Sequence, residues 1–110
     1  MFTTARKPDS VGQILKEEFL GPLGLTQGDL ADATGLPRKH INELCNDRRA
    51  VTVDTAFILA EAFGTSEGFW LNLQAMSDRW GALNDPQRAA RIARARPIRR
   101  RETAPSEPHA

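Results

Sequence analysis

Apolar residues recur along this chain at three- and four-residue intervals, and no stretch alternates with the two-residue period of a strand. Val11, Ile14, Leu15 and Phe19 set a first helix, capped by Asp9 or Ser10. It is expected to stop at Gly21-Pro22, because proline cannot continue the hydrogen-bond ladder. Thr26 starts a second helix with Asp29 at the capping-box position, and Gly28 inside it costs about 1 kcal/mol relative to alanine. Gly35 supplies a turn, Pro37 opens a third helix, and Ile41 and Leu44 are its inward residues. Thr52 caps a fourth helix with Val53, Ala56, Leu59, Ala60 and Phe63 inward, closed by Gly64. Ser66 caps a fifth, along which Phe69, Leu73, Met76 and Trp80 form one stripe, widened by Trp70 and Leu71. Asn84-Asp85-Pro86 opens a last segment, QRAARIARAR, whose one bulky anchor is Ile92. After Pro97 the polar run IRRRETAPSEPHA cannot build a core and is expected to be disordered. The pattern predicts an all-α protein, a compact five-helix bundle with a basic C-terminal extension.

Composition narrows the class. A chain of 110 residues, 40% hydrophobic and 26% charged, is one small globular domain. No apolar run approaches the ~20 residues of a membrane span, and the N-terminus lacks the apolar core of a signal peptide. Cys45 is the single cysteine and cannot close an internal disulfide, so a cytoplasmic location is expected. The net charge of +1 conceals an uneven distribution. Residues 1–85 hold 8 basic and 12 acidic side chains, a net of −4, whereas residues 86–110 hold 7 arginines against 2 glutamates, a net of +5. A uniformly basic nucleic-acid binder is excluded. Any such binding comes from a local face of the folded part, from the tail, or from both.

The local face is in LTQGDLADATGLPRKHINELCNDRR, residues 25–49. Two short helices joined by a tight turn form a helix-turn-helix arrangement. Ala31 is small enough for the second helix to cross closely, and Leu30, Leu36, Ile41 and Leu44 seal the pair onto the other helices. The second helix keeps Arg38, Lys39, His40, Asn42 and Glu43 for its outer side. In a major groove Arg and Lys pair with guanine and Asn with adenine. Gln27 starts the first helix, where free amides suit a phosphate, and Arg48 and Arg49 follow the second helix at another phosphate position. Glu43 either accepts from cytosine or pairs with Lys39 one turn away. A polar run on a helix is usually only a solvated face; here the turn glycine, the small residue and the apolar framework together favour DNA binding.

Other chemistry finds little footing. His40 and His109 have no cysteine or carboxylate set at metal spacing, and no Ser/His/acid group or phosphate-cradling loop is present. No enzyme, metal or cofactor is expected, and Cys45 is read as a small buried residue. A module that only sequesters another protein is the other class left open. Phe69, Trp70, Leu73, Met76 and Trp80 exceed what a small bundle covers, so the fifth helix is the expected homodimer interface.

VGQILKEEFLGPLGLTQGDLADATGLPRKHINELCNDRRAVTVDTA and then FGTSEGFWLNLQ resemble the HigA-type antitoxins of bacterial addiction modules. These are a branch of the Xre or lambda-repressor-like helix-turn-helix family. The resemblance implies a homodimer that binds a palindromic operator and represses its own operon. It also implies a partner, a HigB-type ribonuclease toxin of the RelE fold. By the family pattern the DNA contacts fall on Gln27, Arg38, Lys39, Asn42 and Glu43, with Arg48 or Arg49 near the backbone. A stand-alone regulator without a toxin is the alternative. Asp47 stands where the family usually has glycine, and Pro37 where it commonly has serine. The expected division is a flexible arm over residues 1–10, the DNA-binding domain over 11–83, and a partly disordered arginine-rich extension over 84–110. For that extension three uses are open: a solvated tail, an arm on non-specific DNA, and a dock for the toxin.

Overall fold

In the computed structural model, which describes residues 6–99, the chain forms six helices and no strand among those residues. The all-α expectation therefore holds, with one helix more than the bundle of five. Three consecutive segments, Val11–Ile14, Leu15–Leu20 and Gly21–Leu23, run on without a break as α1. Ser10 rather than Asp9 caps it: its hydroxyl accepts from the Gln13 amide while the Gln13 side chain accepts from the Ser10 amide. The expected stop at Gly21-Pro22 is not made, and Pro22 lies inside the helix. Leu15–Leu20 is wound in π-type turns, with the Gly21 amide reaching back five residues to the Lys16 carbonyl. The wider turn makes room for a ring that would otherwise strike the carbonyl four residues back. α1 closes at Gly24.

The other helices start where a cap permits. They are α2 (Gln27–Thr34), α3 (Arg38–Cys45), α4 (Val53–Phe63), α5 (Glu67–Asn84) and α6 (Pro86–Ala93). Thr26, Thr52 and Ser66 each accept a hydrogen bond from a first-turn amide. Asp29, short as it is, completes the capping box by accepting from the Thr26 amide at 2.9 Å. Val53 departs from its expected inward place and is half exposed, while Val51, before the cap, is buried instead. Asp85 caps α6 through the Gln87 amide, and α6 ends at Ala93, before Arg94 and Arg96. The arginine block from Arg100 and the sequence after it lie outside the described residues.

The core joins α1 to the helix-turn-helix and to α5. Leu15, Leu30, Ile41, Leu44, Cys45, Leu59 and Trp70 are fully enclosed. Trp70 corrects an expectation: it is 0% exposed and has no surface to offer a partner. Phe19 and Phe69 lie with ring centroids 5.0 Å from it, Phe63 at 5.9 Å, and its Nε1–H donates to the Thr65 hydroxyl at 2.8 Å. Burial pushes the Cys45 thiol up from its ordinary range, as suits a packing residue.

One tertiary contact explains a departure from the family pattern. Asp47, in the loop after α3, has φ 58°, a left-handed conformation that glycine adopts more cheaply. Its carboxylate accepts from the Gly12 amide at 2.8 Å and from the Ser10 hydroxyl at 2.7 Å. The strain is offset by two bonds at the positive end of α1, bonds that glycine could not make. Gly12 must itself be bare, since a Cβ there would lie 2.8 Å from the Cys45 carbonyl carbon.

Candidate DNA interface

The turn between α2 and α3 sets the orientation of everything that follows. Gly35 takes φ 77°, and its amide bonds the Ala31 carbonyl at 2.9 Å. Thr34 locks the turn by donating to the Leu30 carbonyl at 2.7 Å and accepting from the Leu36 amide at 3.2 Å. With Ile41, Leu44 and Cys45 turned inward, α3 shows Arg38, Lys39 and Asn42 to solvent. Two other residues expected at the interface, His40 and Glu43, are half buried.

Gln27 and Asn42 meet across the two helices, the Asn42 amide donating to the Gln27 side-chain carbonyl at 3.1 Å. Gln27, expected over the DNA backbone, thus also braces a base-reading residue. Arg38 lies across the start of α2. A Cβ on Gly28 would sit 3.4 Å from its guanidinium carbon, an ordinary contact, so the arginine packs over the helix start without requiring a glycine there.

Glu43 is paired, but with Arg49 rather than Lys39. Arg49 Nε and Nη2 both reach Glu43 Oε1, at 2.8 and 2.6 Å. The bond holds the Glu43 carboxyl below its usual range. It also neutralises a carboxylate that would otherwise repel phosphate. Arg48 donates its backbone amide to the Glu43 carbonyl at 2.8 Å and leaves its side chain exposed. His40 stands apart from the other expected contacts: its Nε2 is buried without a partner. Burial, then the nearby Arg49, lowers its pKa and keeps the ring neutral.

The expected dimer stripe splits in the same way. Phe69 is 38% and Met76 52% exposed, Leu73 packs on the core, and Trp70 is inside it. Trp80 is half buried in a cleft between α5 and the α3–α4 loop, with Lys7 Nζ 5.5 Å from its ring centre. Sequence reading missed Lys7, and also Phe57, which with Val53 makes an exposed apolar pair on α4. Their spacing of four was the available signal. Among the described residues no three His, Cys, Asp or Glu side chains gather as a metal site, and no helix is long and apolar enough to cross a membrane.

Comparison with known proteins agrees with this geometry. A helix-turn-helix family model matches residues 15–70. An uncharacterised HTH-type transcriptional regulator of Haemophilus influenzae is 38% identical over 90% of this chain and 94% of its own length. Antitoxin HigA-1 of Vibrio cholerae is 40% identical over 86% of this chain and 89% of its own. The solved structure of antitoxin GraA in complex with its operator superposes with a TM-score of 0.75, at 28% identity, over 91% of this chain and all of that one. The chain belongs to the helix-turn-helix family, a family of DNA-binding regulators and not of enzymes, on the branch that holds the HigA-type antitoxins.

Proposed function

We propose that this chain is an antitoxin that acts in the cytoplasm, binds a palindromic operator as a homodimer, represses its own operon and neutralises a RelE-fold ribonuclease toxin of the HigB type. Residues 11–83 form the DNA-binding domain and residues 84–110 the extension. The observation that carries the DNA reading is the Gln27–Asn42 bond, which fixes a base-reading amide beside the exposed Arg38 and Lys39. Arg38 and Asn42 read bases, Lys39 reads a base or a phosphate, and Gln27 and Arg48 hold the backbone. Arg49 is kept by Glu43 until a phosphate competes for it, and His40 supports α3 from within. The operator-bound state of GraA supports this placement by likeness of fold.

The name of the Vibrio cholerae relative, an antitoxin, supports the toxin partner. The Haemophilus influenzae relative, named only as a regulator, favours the second reading, a regulator without a toxin. Binding to the DNA upstream of the gene, measured against random duplex, tests the operator; equal affinity for both would sink it. Co-expression with the neighbouring reading frame tests the toxin. Relief of its growth arrest and co-purification are expected, and a neighbour that neither arrests growth nor binds would leave the stand-alone regulator.

A further inference from the structure

We propose that the cleft between the α3–α4 loop and the C-terminal half of α5, continued by the arginines of α6, is a second surface for the DNA backbone. It carries duplex that flanks the sequence read by α3. The inference rests on the operator-binding reading above and adds a footprint to it. The cleft encloses about 450 Å³, with Arg48 and Arg49 on one side, Asp78, Trp80 and Gly81 on the other, and Lys7 at the rim. Arg48 lies three residues past the recognition helix, its amide bonded back to the Glu43 carbonyl, so this opening adjoins the proposed interface.

The far wall of the cleft is where α6 is anchored. Arg88 Nη2 donates to the Asp78 carbonyl at 3.2 Å, and its guanidinium lies on Gly81, where any Cβ would collide with it. The first arginine of α6 is thus fixed at the edge of the cleft rather than left on a loose tail. Arg91 within α6 and Arg94 just past its last residue follow at intervals of three and are exposed.

Charge selects the partner. Residues 86–99 carry five arginines and no acidic residue, on a chain whose first 85 residues are net −4. The one ion pair among the described residues joins Arg49 to Glu43, so the α6 arginines are not spent on the protein's own acids. Two carboxylates, Asp47 and Asp78, also line the cleft, hydrogen-bonded to Ser10 and Gly12 and to Gln74, and they face three cations, Lys7, Arg48 and Arg49. A row of guanidinium groups without ion pairs among the described residues, beginning beside a DNA-reading helix, fits the phosphates of flanking duplex.

The test uses the full chain and two duplexes. One is limited to the recognition sequence, and the other is extended by about one helical turn, ~10 base pairs, on each side. The wild type is expected to show a steeper fall of log affinity with log salt on the long duplex. Arg91→Gln together with Arg94→Gln should reduce that slope by about 3.6 for the dimer, two phosphate contacts in each protomer at ~0.9 each. The same variant should leave the short duplex bound as before, and both side chains are exposed enough for the fold to survive. Equal wild-type slopes on both duplexes, or a double variant that keeps the full slope on the long one, would overturn the flanking surface while the operator reading stands. A chain that prefers neither duplex to random DNA would overturn both.

Discussion

At the scale of single residues, the specificity proposed for α3 depends on how firmly its side chains are held. Asn42 can pair with adenine through both ends of its amide only in one plane, and its bond to Gln27 fixes that plane. Asn42→Ala should cost ~1–3 kcal/mol at one base position, and Arg38→Ala a similar amount at another. Gln27→Ala should lose part of the discrimination of Asn42, and the double variant no more than Asn42→Ala alone, since the two act as a unit. Titration of operator and single-base variants decides the matter; a Gln27→Ala loss shared equally by random DNA would leave Gln27 as a phosphate contact only. His40 gives a prediction in pH. Its folded pKa lies below the ordinary 6.5, so the unfolded chain takes up a proton that the folded chain resists. Stability should therefore fall as pH drops through 6.5, and His40→Asn should flatten the change in melting temperature between about pH 7.5 and about pH 5.5. Glu43 and Asp29 do not confuse this window. Arg49 and Thr26 respectively hold those carboxyls below their ordinary range, so their contribution is lost only in stronger acid. A wild-type melting temperature indifferent to that pH interval would sink the assignment.

Elements were legible in the sequence wherever their cause is local. Ser10, Thr26, Thr52 and Ser66 cap helices, and Gly35 turns the chain, through bonds within a few residues. What failed depends on distant partners or on the whole backbone. Pro22 reads as a helix stop until the π-type turns before it are seen. Trp70 reads as one more member of a stripe, yet three rings from α1, α4 and α5 enclose it. Of the candidate site, α3 and its outward residues were legible; the Gln27–Asn42 and Glu43–Arg49 partnerships were not, because side-chain reach decides them. Asp47 looked like a costly replacement for glycine, and its bonds to α1 span about 35 residues. Asp47→Ala keeps the left-handed strain and loses both bonds, so it should destabilise by ~1–3 kcal/mol, and Asp47→Gly by less. Gly12→Ala should cost a comparable ~1–3 kcal/mol by forcing α1 off the end of α3. Denaturant midpoints measure all three. Asp47→Gly as stable as the wild type would show that the carboxylate contributes nothing.

For the whole molecule, the question is how a small reader gains enough sequence to be selective. One helix-turn-helix touches few base pairs, and two copies related by a two-fold axis double the number, with half-sites ~34 Å apart on a palindrome. Among the exposed apolar side chains of the described residues, two helix faces are candidates for the seam. Phe69 and Met76 are exposed on α5, and Val53 and Phe57 on α4. Trp70 is excluded because it is sealed in the core, and Trp80 is half covered in its cleft. The α5 patch keeps the seam on the helix whose apolar surface is widest along the chain, so we place it there. Met76→Asp should then yield a folded monomer, with helical content and melting behaviour close to the wild type, because its side chain touches solvent rather than core. Trp70→Asp should instead unfold the protein, and that contrast separates loss of a partner from loss of the fold. Sedimentation of both variants and of Phe57→Asp reads the result directly. A dimeric Met76→Asp beside a monomeric Phe57→Asp would move the seam to α4, and a wild type that sediments as a monomer at operator-binding concentrations would remove it altogether.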